Sequence, residues 1–396
     1  MTVSGRTLRG RIVWAGRGLL LLEDETTAHR VVWDPASEEH LGAWAELDVH
    51  EAAGGLRARH VRLGAPPRTA FPRQGGDWLA LHRDGRRAIG FLRARARAWR
   101  EVRGLLDAQD FLEVETPLAV PSPGLDVHLA AFEVLGMRAP RWLITSPEYQ
   151  MKRLLAGGLG RIYQLGRCFR RDERGDRHEP EFTMLEWYRA FESSEALMRD
   201  TEQIVATLAS ALRGTTRLTV DALGARSAGV ELAPPWDRVR VEDALHAHAG
   251  ARLDDLLLDE ERFFRVWSHE VEPKLGFERP VFVVDWPASM ASLARLHPDR
   301  PAFADRFEAY VCGVEICNGF GELIDPVEQR ARLLRDQEER RSRGLPVPPI
   351  DERFLGALEE GLPPCSGNAM GMDRVLALLL GASTIAEVMA IDSERL

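Results

Sequence analysis

The sequence predicts an α+β catalytic core, an antiparallel sheet flanked by helices, with a small β-barrel in front of it. Three observations carry that expectation. Residues 6–63 alternate short apolar or β-branched runs with turn residues five times. Beyond Arg86, strand and helix patterns mix without the regular βαβ rhythm of a parallel sheet. Two segments, "FRRDERGDRHEPEFTMLEWY" and "RFEAYVCGVEICNGFGELID", read as hairpins whose strands carry carboxylates. At 396 residues the chain exceeds one ordinary core, so it divides into a barrel over 1–65, a linker over 66–85 and a catalytic domain over 86–396.

The barrel strands are "LRGRIVWAG", "GLLLLED", "HRVVWD", "AWAELDVH" and "LRARHVRL", a pattern that fits an OB-like barrel. Eight arginines against nine acids in residues 1–65 give this module no net basic charge. It reads equally as a nucleic-acid module and as a structural or protein-docking one. Proline and glycine in "GAPPRTAFPRQGGD" mark a linker. A long amphipathic helix follows, with Ile89, Leu92, Ala96, Trp99, Val102 and Leu106 as its buried stripe and seven arginines from Arg86 to Arg103 on the other faces. The strand "FLEVETP" ends at Pro117, and "PEYQMKRLLAGG" starts a helix near Pro147 that stops before Gly157. Residues 195–270 read as mostly helical, "RPVFVVDWP" as a buried strand, and "NAMGMDRVLALLLG" as a strand passing into an apolar helix.

Composition excludes several classes. No apolar run reaches the length of a membrane span, and the N-terminus lacks the apolar core of a signal peptide. Cys168, Cys312, Cys317 and Cys365 match no zinc spacing or disulfide framework, which suits a reduced, cytoplasmic protein. A formal charge of −9 argues against broad nucleic-acid binding. The chain has no P-loop, no G-x-G-x-x-G, no H-E-x-x-H and no G-x-S-x-G, so an ATP site here is of another kind.

The first hairpin places Phe182, Met184, Glu186 and Tyr188 on one strand face. An aromatic ring, a carboxylate and a phenol make poor core but a good pocket for a flat base beside an ammonium group. Arg170 stands at the end of the first strand, and Arg171, Arg174, Arg177 and His178 follow in the loop. Guanidinium forks suit phosphate and carboxylate; alone, the loop reads as a solvated charged hairpin. In the second hairpin, a two-residue Cys312-Gly313 turn pairs Tyr310 with Glu315 and makes Glu308 a diagonal neighbour of Glu315. Two carboxylates so placed repel unless a cation lies between them, and with ATP that cation is Mg²⁺. Asn318, Phe320 and Glu322 fall on the opposite face by strict parity. A bulge near Gly319 or Gly321 is needed to bring both sets together. Gly371 permits close backbone approach, and Arg374 at a helix start suits a polyphosphate.

These three constellations resemble the signature motifs of class II aminoacyl-tRNA synthetases. From Arg86 to Leu396 the chain is similar to lysyl-tRNA synthetases and to their truncated paralogue, which attaches (R)-β-lysine to elongation factor P. "TSPEYQMKRLL", "HEPEFTMLEWYR", "EPKLGFERPVFVVDWPASMASLA", "EICNGFGEL", "RGLPVPPID" and "CSGNAMGMDR" carry the resemblance. It implies a catalytic role for Arg170, on the α-phosphate and substrate carboxylate, and for Arg374, on the γ-phosphate. It implies ATP contacts by His178 and Phe182, and Mg²⁺ held by Glu308 and Glu315. Glu148 and Glu186 would bind the amino group nearer the carboxylate, Asn318 the carboxylate, and Tyr188 and Glu322 the distal ammonium. Asp172 stands where the family often has an adenine-contacting glutamate. The reaction implied is attack of the amino-acid carboxylate on the α-phosphate of ATP, in a homodimer.

Three acceptor readings follow. Transfer to elongation factor P is favoured by the missing full anticodon domain, by Ala369 in place of the glycine expected in lysyl-tRNA synthetases, and by Ser146 in place of a common alanine. A reduced lysyl-tRNA synthetase charging tRNA is the second. A non-catalytic sensor of lysine or ATP is the third, and retention of the whole charged set argues against it.

Overall fold

The computed structural model describes residues 5–395, apart from the side chains of 83–87. Arg86 and Arg87 of the expected arginine face therefore lie outside the described side chains. The chain divides into two compact units, Met1–Gly90 and Phe91–Leu396.

In the first unit β1 (Gly5–Gly16), β2 (Leu19–Glu23), β3 (Ala28–Val32), β4 (Trp44–Ala52) and β5 (Gly55–Leu63) close a barrel in the order β1-β2-β3-β5-β4. Alternate residues, among them Leu8, Ile12, Leu20, Leu22, Val31, Leu47 and Val49, fill its interior. This is the five-stranded OB-like architecture that the alternation predicts.

Helix α1 (Asp77–Asp107) begins inside the stretch read as linker. Its buried stripe is Phe91, Ala98, Val102 and Leu106, whereas Ala96 is exposed. Arg95 sits in line with that stripe because its guanidinium has partners there: Nη1 donates to Asp373 Oδ1 at 2.5 Å and Nη2 to Thr183 Oγ1 at 2.7 Å.

The second unit continues with β6 (Leu112–Glu113), β7 (Ala119–Val120), β8 (Trp142–Leu143), α2 (Glu148–Ala156), β9 (Arg161–Phe169) and β10 (Glu181–Ala190). Then come α3 (Ser194–Arg213), β11 (Arg217–Ala222), β12 (Ala225–Glu231), β13 (Asp237–Arg240), α4 (Val241–Ala249), α5 (Leu253–Leu256) and α6 (Glu260–Val266). The last part holds β14 (Val281–Pro287), β15 (Phe303–Val311), β16 (Val314–Gly321), α7 (Pro326–Ser342), α8 (Glu352–Gly361), β17 (Cys365–Gly371) and α9 (Met372–Leu380). Eight strands form one sheet in the order β13-β14-β15-β16-β17-β10-β9-β6.

The six inner strands pair antiparallel, as expected, but both edge strands pair parallel. Helices lie in each parallel connection, α4 to α6 before β14 and α2 before β9, and a crossover of that length is what parallel pairing requires. Residues 195–270 are less helical than expected, because β11 and β12 form a hairpin within them. Its tip, Leu223-Gly224, has positive φ at both residues (51° and 77°), the geometry of a tight two-residue turn.

Leu185 and Trp187, on the far face of β10, sink with α3 and α9 residues into the main core, so the opposite face is free for chemistry. All four cysteines are buried and unpaired. Among the described residues no helix is long and apolar enough to cross a membrane.

Candidate active site

The register of the inner strands builds the site. Glu308 of β15 faces Asn318 of β16, Asn318 faces Ala369 of β17, and Ala369 faces Glu186 of β10. The next row on the same face runs Arg306, Phe320, Gly367, Tyr188. These eight residues line a cavity of about 870 Å³. Phe182 and Arg170 line it as well, and Arg170 holds its guanidinium 5.1 Å from the Phe182 ring. At roughly 3.3 Å per residue, Phe182 and Tyr188 lie about 20 Å apart along β10. The cavity thus has an arginine–aromatic end and a carboxylate–phenol end.

The second hairpin turns as its sequence demands. Cys312 (φ 49°) and Gly313 (φ 71°) make the two-residue turn, and Tyr310 pairs with Glu315. The bulge expected near Gly319 or Gly321 lies earlier. Ala309 pairs with Cys317 while Tyr310 pairs with Glu315, so Ile316 is the extra residue. That one residue restores parity and puts Glu315, Asn318 and Phe320 on the cavity face. Glycine is needed at Gly367, where a Cβ would come within 2.3 Å of Tyr188 Cε1 and 2.4 Å of Glu322 Oε1.

The charged groups divide into two clusters. At the phosphate-like end, Arg374 donates through Nη1 to the Glu315 carbonyl (3.0 Å) and carboxylate (3.3 Å), and through Nη2 to His178 Nε2 (2.6 Å). His178 must be neutral to accept that bond, and burial together with Arg374 holds its pKa below the usual histidine value. Arg170 Nη1 reaches Glu173 at 3.4 Å, and its buried Nε has no partner among the described residues. Glu308 accepts from Arg306 (2.7 Å) and Tyr310 (2.5 Å), yet burial pushes its pKa up to about 7, with neighbouring Glu315 and Glu272 adding to the rise. Among the described residues no group of three or more His, Cys, Asp or Glu side chains is placed to hold a metal alone. Glu308 and Glu315 still suit Mg²⁺, which commonly takes one or two carboxylates and completes its shell with phosphate and water oxygens.

At the other end, Ser146 Oγ and Tyr188 Oη each donate to Glu186 at 2.7 Å, and the Glu148 amide donates to Ser146 Oγ at 3.0 Å. Burial, reinforced by Glu148, lifts Glu186 to about 7. Glu322 lies still deeper and rises to about 8, its Oε1 buried without a hydrogen-bond partner among the described residues. Lys152 Nζ lies 2.6 Å from Glu148 Oε1 and 2.5 Å from Glu322 Oε2.

Of the residues singled out from sequence, Ser146, Glu148, Arg170, His178, Phe182, Glu186, Tyr188, Glu308, Glu315, Asn318, Glu322, Ala369 and Arg374 all line this one cavity. Asp172 does not. Its carboxylate turns outward to pair with Arg171 at 3.0 Å, and the next residue, Glu173, takes the cavity position. Sequence reasoning also passed over Lys152, Arg306 and Glu272. Glu272 faces Arg177 at 3.5 Å, and burial and Glu315 raise it to about 7. Glu272 opens the quoted "EPKLGFERPVFVVDWPASMASLA" stretch, but nothing in its spacing ties it to a hairpin forty residues on.

Over residues 77–394 the chain matches the family described as tRNA synthetases class II (D, K and N). It is 40% identical over 324 residues to the elongation factor P--(R)-beta-lysine ligase of Proteus mirabilis, covering 78% of this chain and 96% of that protein. With the ligase of the same name from Hamiltonella defensa it shares 38% identity over 323 residues, again 78% and 96% of the two chains. The family match begins after the barrel.

Proposed function

Because the chain belongs to the class II tRNA synthetases of the D, K and N group, we propose that it activates lysine or (R)-β-lysine with ATP and passes the acyl group to a lysine side chain of elongation factor P. One observation carries the substrate: at opposite ends of the cavity, the buried donor Arg170 Nε and the buried acceptor Glu322 Oε1 have no hydrogen-bond partner among the described residues. An unpaired buried polar group is costly, so each calls for a ligand atom. A molecule with a carboxylate or phosphate at one end and an ammonium group at the other satisfies both.

In the first step a carboxylate oxygen of the amino acid attacks the α-phosphorus of ATP, the α–β P–O bond breaks, and pyrophosphate leaves. Arg170 bears on the α-phosphate and carboxylate, Phe182 stacks on adenine, and His178 and Arg374 take phosphate oxygens in exchange for their present mutual bond. Glu308 and Glu315 would hold Mg²⁺, which offsets phosphate charge. Glu148 and Glu186 take the amino group nearer the carboxylate, and Tyr188 and Glu322 the distal one. Catalysis comes from position and charge, with no covalent enzyme intermediate. In the second step the ε-amine of the acceptor attacks the acyl carbon, AMP departs and an amide remains; the amine proton goes to solvent.

The relatives' name supports elongation factor P as the acceptor. So does the pocket floor, where the Ala369 methyl sits between Asn318 and Glu186 and reshapes the space for the carbon bearing the amino group. The work of a translation factor would keep the protein cytoplasmic. A homodimer through α1 and β6 is part of the proposal, and Leu112, 52% exposed, offers apolar surface there.

The deciding experiment offers the protein ATP, Mg²⁺ and either lysine isomer, with elongation factor P and lysine tRNA both present. Intact-mass spectrometry is expected to find a lysyl gain on the factor while acid gels find uncharged tRNA. Charged tRNA with unmodified factor would overturn the acceptor assignment.

A further inference from the structure

We propose that Lys152 is the fixed countercharge of the substrate cavity, a positioning residue that orients Glu148 and Glu322 and leaves the cavity two uncompensated negative charges for a substrate with two ammonium groups. This rests on the lysine reading of the site.

Lys152 lies on α2 one turn after Glu148 and is fully buried, and it does not line the cavity. It works from behind the wall. Its Nζ reaches Glu148 Oε1 at 2.6 Å and Glu322 Oε2 at 2.5 Å, and the rings of Phe320 and Phe354 enclose it at 5.5 and 5.8 Å. Glu322 Oε1 has no such partner and is the oxygen that presses toward Tyr188 and Gly367. One oxygen of Glu322 is thus tied down and the other presented.

Three carboxylates line this end, Glu148, Glu186 and Glu322. One buried cation cancels one of them. The remainder matches two ammonium groups, while the substrate carboxylate belongs to Arg170 at the other end. Were the lysine absent, the third acid would be an uncompensated buried charge and would take up a proton.

Composition points the same way. Of 52 basic residues only Lys152 and Lys274 are lysine, and Lys274 is exposed, on the His248 carbonyl. A chain that otherwise writes its cations as arginine keeps the compact ammonium here. A planar guanidinium is bulkier than the ammonium that these two carboxylates and two rings enclose.

The groups facing this ammonium are Glu148 on its own helix, Glu186 on β10, Glu322 after β16 and Cys365 on β17. Lysine-dependent ATP–pyrophosphate exchange, followed from pH 6 to 9, tests the proposal. In Lys152→Met the KM for lysine at pH 7 is expected to rise about tenfold or more, and its pH midpoint to move up by about one unit. The KM should recover toward the wild-type value at high pH, and kcat should change far less. In Lys152→Arg the charge stays, so the pH midpoint holds while KM still rises. A wild-type KM for Lys152→Met across the range, or a loss of equal size at every pH, overturns the proposal. If Lys152→Met fails to fold, Lys152→Arg decides, since wild-type KM there defeats the need for a compact ammonium. Absence of lysine-dependent exchange in the wild type would instead defeat the proposed function.

Discussion

Filling the cavity with lysine should expel protons, and the amount follows from the two deepest acids. Without a ligand, burial raises Glu186 to about 7 and Glu322 to about 8. Both stand above the ordinary glutamate range, so the empty protein holds protons that its unfolded chain has lost at the same pH. Glu186 and Glu322 repel each other, so they titrate as a pair that holds on the order of one proton at pH 7. A diammonium ligand needs both carboxylates ionised, so binding releases the proton that the pair holds. The sign is fixed: affinity rises as pH rises through 7 and 8, and falls in acid as the two sites fill with protons. From pH 6 to pH 8, release of about one proton raises the affinity by on the order of tenfold per pH unit at most. Isothermal titration calorimetry in two buffers of different ionisation enthalpy reads the protons directly. A Kd constant across this range, with equal heats in both buffers, would refute the reasoning, because these acids would then be ionised before the ligand arrives.

Other consequences are simpler to read. Arg170→Ala and Glu315→Ala should each lower ATP–pyrophosphate exchange by about 10²- to 10³-fold with unchanged circular dichroism, and wild-type exchange in both would defeat the activation chemistry. Gly367→Ala inserts a methyl 2.3 Å from Tyr188 and 2.4 Å from Glu322. Its KM for lysine should rise about a hundredfold while its ATP affinity holds, which competition with an ATP analogue would check. Sedimentation velocity at micromolar concentration should give twice the chain mass; a monomer alone would remove the proposed dimer.

Much of the fold was legible because local signals and tertiary needs agreed. Alternation in residues 6–63 named the five barrel strands. Pro147 and Gly157 bracketed α2, and Cys312-Gly313 announced its turn. The misses come where one signal had two readings. Leu223-Gly224 lacks the usual asparagine or aspartate of a tight turn, so the β11–β12 hairpin passed for helix. Arg95 looked like surface until Asp373, far along the chain, supplied its buried partner.

The site divides along the same line. Residues sharing one strand face, such as Phe182, Glu186 and Tyr188, can be read by parity alone, since the pleat makes the period two. Parity fails wherever a strand gains a residue, and nothing in "VEICNGFG" marks Ile316 as that residue. Glycines drew attention to Gly319 and Gly321, but those small residues serve close packing against Phe307, Asp305 and Arg295 rather than the bulge. Lys152 was hidden for another reason. Its i,i+4 partner Glu148 gives an ordinary helix-surface pair in sequence, worth about 0.5 kcal/mol at most. Only Glu322, which joins the pair from β16's far end, turns it into a buried triad, and breaking such a cluster costs about 3–5 kcal/mol. A contact 170 residues away in sequence changes the weight of that lysine about six- to tenfold, and the change belongs to the fold, not to the spacing.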